Sequence, residues 1–159
     1  MSALIQGTQL RTLRKGLLVK KTALTLPQSA TGTLFTVAGG AVLVTGLVGV
    51  VTTPIASSDP VLSLGTAPTV GTAQTSGIAA TTVLTSAEAG TLVTVGSSAG
   101  LPAALVVMAT AAKAGSAVFL GPEFVVSAGA ITWTTGASKT GAMSWYLTYI
   151  PLDDQASVS

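Results

Sequence analysis

The sequence predicts an all-β fold, an antiparallel β-sandwich or jelly-roll-like domain with at most one short helix. Three observations predict it. Large apolar residues recur at every second position in the best-patterned segments, the period of a half-buried strand. Gly, Pro and Ser break the chain into short pieces at the spacing of a sandwich, not of a βαβ fold. The apolar residues are rich in Val and diluted with Thr, which suits a pleated surface better than a helix.

Residues 1–21 form a separate case. Arg11, Arg14, Lys15, Lys20 and Lys21 crowd this stretch with no acid among them. The remaining 138 residues carry only Lys113 and Lys139 against Asp59, Glu88, Glu123, Asp153 and Asp154. An extended basic arm of charge +5 therefore precedes a single β-domain, residues 22–159, of net charge −3. Such an arm suits nucleic acid, an anionic membrane or an acidic protein surface, or is simply a solvated terminus. Five cations without interleaved aromatics make a poor nucleic-acid surface.

Residues 17–24 and 33–38 read as the first two strands, with Gly39-Gly40 as the turn that follows. Residues 34–55 include 22 positions without a charge, long enough to span a bilayer as a helix. Five Thr in and beside that run, a Gly-Gly pair and the Val content argue for strands instead, and no membrane partner is expected. Within it, residues 42–51 are apolar on both faces: Val42, Val44, Val48 and Val50 on one, Leu43, Leu47 and Val51 on the other. A strand of that kind is covered on both sides, and a neighbouring subunit could supply the second cover.

Further strands are expected at 61–64, 69–75, 91–95, 116–120 and 123–127. The Thr/Ala/Gly-rich tract 66–82 reads as a long loop with strand fragments. Residues 102–113 start with Pro, are rich in Ala and are followed by Gly115, the signature of the one short helix. In the C-terminal part, Ile131 and Trp133 alternate with Thr132 and Thr134, and Trp145, Leu147 and Tyr149 with Ser144, Tyr146 and Thr148. Gly136 to Gly141 between them supplies a turn, so the two segments are expected to pair as a hairpin. The aromatic group Trp133, Trp145, Tyr146 and Tyr149 can serve as core, as a subunit interface or as a stacking face for a ligand.

The residue types that carry chemistry are nearly missing. The chain has neither His nor Cys, which excludes the usual general base, thiolate ligands and nucleophilic triads. Adjacent Asp153 and Asp154 point apart on an extended chain and form no calcium cage. The run Gly136-Ala-Ser-Lys-Thr-Gly141 lacks the spacing of a phosphate loop. No enzyme activity, cofactor, metal or small-molecule substrate is expected.

A soluble monomer carries about 25% charged residues; this chain carries 8%. Its surface is therefore expected to be covered by other protein, either its own copies as a dimer or trimer or a larger shell.

Thr31-Gly-Thr-Leu-Phe-Thr-Val-Ala-Gly-Gly40, Val42-Leu-Val-Thr45 and Val48-Gly-Val-Val-Thr-Thr53 form one block. Thr140-Gly-Ala-Met-Ser-Trp-Tyr-Leu-Thr-Tyr-Ile-Pro-Leu-Asp-Asp154 and Ala156-Ser-Val158 form another. Together they resemble small structural proteins of tailed bacteriophages, of the capsid decoration or cement type. The group's pattern has a charged residue where Ala41 and Val50 stand, so this copy is the more apolar. The resemblance implies a virion protein on the outer capsid surface, bridging capsomers of the major capsid protein without an active site. A phage tail or receptor-binding β-module, and a small membrane-inserting protein, are the alternative readings.

Overall fold

The computed structural model describes residues 10, 12, 14–55, 61–84, 86–96, 103–108, 121 and 123–159. It is an all-β sandwich of eleven strands: β1 Leu17–Thr25, β2 Thr31–Ala38, β3 Val42–Thr53, β4 Val61–Pro68, β5 Gln74–Val83, β6 Leu92–Val95, β7 Ala103–Met108, β8 Phe124–Val126, β9 Gly129–Thr135, β10 Ala142–Pro151 and β11 Ser157–Val158. One sheet, A, has the order β1-β10-β3-β6-β7, with β8 also on the β6 side of β3; the other, B, runs β7-β5-β4-β9-β2-β11. Strand β7 belongs to both, so the sandwich is closed along that side.

The core is the set of side chains that each sheet turns toward the other. From sheet A come Val42, Val44, Leu47 and Val51 of β3 and Met143, Trp145, Leu147 and Tyr149 of β10. Sheet B contributes Phe35, Leu62, Leu64, Ile131 and Trp133, all buried. Trp133 and Trp145 meet edge to face across the gap, ring centroids 6.1 Å apart at 84°. At about 25 cal/mol per Å² and 150–250 Å² per ring, burying each indole contributes roughly 4–6 kcal/mol, an upper estimate. The buried indole N–H of Trp145 finds no acceptor among the described residues, which costs about 1–3 kcal/mol against that gain.

This contact replaces the expected C-terminal hairpin. β9 pairs with β2 and β4 in sheet B, whereas β10 pairs with β1 and β3 in sheet A. The turn residues 136–141 cross from one sheet to the other. The physical reason is burial: splitting the strands lets each indole fill the core from its own sheet.

The expected helix is also absent where the chain is described. Residues 103–108 form β7, antiparallel to β6 through Leu92↔Met108 to Val95↔Leu105 and parallel to β5 at Ala79↔Ala103. Ala favours a helix by less than 1 kcal/mol per residue, and pairing with β5 at one end of the strand and with β6 along the rest outweighs that. Residues 102 and 109–113, and the strand expected at 116–120, lie outside the described residues. The fifth strand is displaced as well: it occupies 74–83 instead of 69–75, inside the tract read as loop. Its Ile78 and Ala79 are buried.

Strand β3 does not keep one face along its length. Tyr149 opposes Val44 but Thr148 opposes Gly46, so Thr45 is an extra residue, a β-bulge. Before it, Val42 and Val44 point into the core; after it, Leu47, Gly49 and Val51 do. Val48 and Val50 consequently turn to the outer surface, and the grouping of Val42, Val44, Val48 and Val50 on one face is corrected by that single insertion.

Gly49 lies where the Trp145 ring closes on the backbone. A Cβ there would stand 3.0 Å from two ring atoms of Trp145 and 2.9 Å from Met143 Cε. The rigid indole has nowhere to move in a filled core. Gly49→Ala is expected to lower unfolding free energy by about 1–3 kcal/mol, read from the denaturant midpoint.

Candidate interaction surface

The eleven strands contain only two ionic residues, Lys20 and Lys21, both in β1 at the margin of sheet A. Each sheet therefore offers an outer face almost free of charge, but the two faces differ. On sheet B, Thr31 and Thr33 of β2 stand opposite Thr134 and Thr132 of β9, and the Thr31 and Thr134 hydroxyls hydrogen-bond at 2.7 Å. That face is polar and internally bonded. Along sheet A the outward positions are mainly apolar.

Three rows describe the sheet A face. Val125, Leu43 and Ile150 align across β8, β3 and β10. A second row holds Lys20, Tyr146, Val48 and Thr94 across β1, β10, β3 and β6. Ser144, Val50 and Leu92 make the third. Leu18 of β1 is 63% exposed and Val125 60%, high values for such side chains. Val48, Val50 and Tyr146 are half-buried.

The basic residues of the arm reach this face at two places, at β3 and on β1. Arg14 and Lys15 are exposed and lie in a helical turn, in which the Gly16 N–H donates to the Thr12 carbonyl at 2.8 Å. This part of the arm is thus coiled, not extended. The Thr45 hydroxyl at the bulge donates to the Lys15 carbonyl at 2.5 Å and shares a hydrogen bond with the Thr148 hydroxyl at 2.9 Å. An inserted Thr, useless for core packing, here ties the arm to the outer surface of the sheet. Lys20 Nζ sits 5.2 Å from the centroid of the Tyr146 ring, a cation–π contact worth about 0.5–1 kcal/mol at an exposed site. Lys21 is half-buried opposite Trp145, on the core side of β1. Arg11 lies outside the described residues.

The structure separates the other candidates into two groups. Trp133, Trp145, Tyr149, Val42 and Val44 belong to the core. Tyr146, Val48 and Val50 lie on the outer face of sheet A. Sequence reasoning set Leu43 on the face opposite Val48 and Val50, because a strict period of two hides a bulge, and it singled out none of Leu18, Val125 and Ile150. The signal was present: Thr45-Gly46 interrupts an otherwise Val/Leu-rich strand, a pattern associated with bulges.

The acids are spread out. Glu88 and Glu123 are exposed on separate loops. Asp153 accepts a hydrogen bond from the Ala41 N–H at 2.7 Å and so closes the Gly39-Gly40 turn, while Asp154 is exposed. Among the described residues no three His, Cys, Asp or Glu side chains gather as a metal site would require. No helix among them is long and apolar enough to cross a membrane, and the apolar run 34–55 is divided between β2 and β3. Comparisons with protein-family models, with curated protein sequences and with solved structures return no match to this chain.

Gly16 fixes where the arm meets the sheet. Its φ is +84°, and a Cβ would fall 2.1 Å from the Tyr149 carbonyl oxygen. Gly16→Ala is expected to dislodge the helical turn and the start of β1 while β10 keeps its pairing with β3. Limited trypsin digestion checks this: cleavage after Lys15 and Lys20 becomes several-fold faster than in the parent, with the remaining body still protected.

Proposed function

We propose that this chain is a non-enzymatic structural protein of a tailed-phage virion that decorates the outer capsid surface. In this reading it bridges copies of the major capsid protein. The observation that carries the proposal is the segregation of charge: strands almost without ionic groups, and five cations concentrated in the first 21 residues. A surface with so few charges is suited to lasting contact with protein, not to free solution. The resemblance of residues 31–53 and 140–158 to decoration proteins points the same way.

The arm then lies on an acidic part of the capsid lattice, and the β-body self-associates as a dimer or trimer. Exposed ion pairs contribute about 0.2–1 kcal/mol each, so five cations steer and orient but do not fasten. Apolar burial supplies most of the affinity, and several arms on one oligomer raise the effective concentration at each lattice site.

Immunogold labelling of virions with an antibody to this chain tests the assignment. Label over the heads is expected; label confined to tails favours the tail-module alternative, and unlabelled particles overturn the proposal. On particles stripped of the chain, Arg11→Gln/Arg14→Gln/Lys15→Gln is expected to slow rebinding at low salt several-fold. Bound protein is expected to resist moderate salt. Release of bound protein by moderate salt would show that charge, not burial, holds it.

A further inference from the structure

We propose that the arm is a releasable strap: the Thr45 hydroxyl latches it to sheet A in the free protein, and it swings out at Gly16 when an acidic protein surface takes up its cations. The inference rests on the reading that the arm meets such a surface, and adds how the chain holds the arm until then.

Three strands set the course of the strap. Sheet A runs β1, β10, β3, and Leu17 at the start of β1 stands opposite Tyr149 of β10. From there the chain turns back over the outer side of β10. Gly16 lies against the Tyr149 carbonyl and the Ile150 side chain, and the Lys15 carbonyl reaches the Thr45 hydroxyl on β3. Thr45 points outward yet is only 6% exposed, with the strap lying on it.

The strap is held lightly. Leu10, Thr12, Arg14 and Lys15 are all exposed, so no described side chain ahead of Gly16 is buried as an anchor. The Lys15 carbonyl is held by the Thr45 hydroxyl, with the Thr148 hydroxyl 2.9 Å from the same oxygen. A neutral hydrogen bond shifts an equilibrium by about three- to tenfold, enough to keep the strap down and little enough to let it go. Gly16 is the pivot: its φ of +84° suits glycine alone, and the chain beyond it is fixed by the pairing of β1 with β10.

Charge placement supplies the difference between the two states that a switch requires. Glu123 is exposed and immediately precedes Phe124, the β8 partner of Val44, so it stands about one strand spacing, roughly 5 Å, from the part of β3 that the strap crosses. An acidic surface that engaged the latched strap would meet this carboxylate as well. Swung out, Arg14 and Lys15 meet the surface without it. The same movement uncovers Thr45 and Ile150, the latter in one row with half-buried Leu43, so capture of charge and apolar contact are coupled.

Amide exchange followed by NMR on the full chain tests the latch. The Gly16 N–H donates to the Thr12 carbonyl inside the strap, and a single helical turn does not persist once detached. In Thr45→Val the Gly16 amide is expected to exchange about three- to tenfold faster, with the amides of β3 and β10 unchanged as proof of a folded body. Thr45→Ser, which keeps the hydroxyl, stays within about twofold of the parent. Dye-labelled poly-L-glutamate at low salt, followed by anisotropy, tests the release: it binds the parent, and binds the Val variant several-fold more tightly. Unchanged Gly16 exchange in the folded Val variant, or a Ser variant that behaves like Val, overturns the latch. Faster exchange with equal affinity for poly-L-glutamate overturns release by an acidic surface. No binding to either chain overturns the acidic target itself, a failure that the exchange data keep distinct from failure of the latch.

Discussion

The two indoles that meet across the sandwich are the constraint on which the rest depends. Trp133 stands on β9 and Trp145 on β10, and their edge-to-face contact sets the distance between the sheets at the middle of the core. It also dictates the topology of the C-terminal third, since the two strands must belong to different sheets for the rings to face one another. Gly49 gives way so that the Trp145 ring can lie against β3. The N–H of Trp145, without a partner among the described residues, is a cost that the apolar burial around it offsets.

The bulge at Thr45 comes next in importance. A single inserted residue turns β3 over, sending Val42 and Val44 inward on one side of it and Leu47 and Val51 inward on the other. The same insertion directs Val48 and Val50 outward and presents a hydroxyl where the arm crosses. Core, outer face and arm are thus coupled through one position. That coupling also fixes where the arm meets the sheet: the Thr45 hydroxyl holds the Lys15 backbone against β3.

Much of the fold was legible in the residues. Alternation identified β10 and β9, and apolar and Thr-rich runs between Gly, Pro and Ser punctuation identified β1, β2, β3, β4, β6 and β8 to within a few positions. Strand β7 was not legible, because Ala-rich composition after Pro102 carries a local preference for helix that only pairing to β5 and β6 overrides. Nor was β5, whose Thr, Ala, Gly and Gln content lacks alternation; Ile78 and Ala79 are buried because β4 and β7 flank the strand. Of the candidate surface, Tyr146, Val48, Val50 and Lys20 were legible as a set of residue types, whereas Leu18, Leu43, Val125 and Ile150 were not.

The sequence by itself determined the β class, the near-absence of ionic groups from the strands and the concentration of cations in the first 21 residues. These are matters of composition and local period, which need no knowledge of distant neighbours. Only the tertiary structure decided which strands share a sheet and which side of β3 faces the core. It likewise decided which aromatics are sealed in and which reach the surface. Those outcomes depend on pairing between segments more than a hundred residues apart and on one bulge that shifts the register, and neither is encoded in the pattern of any single segment.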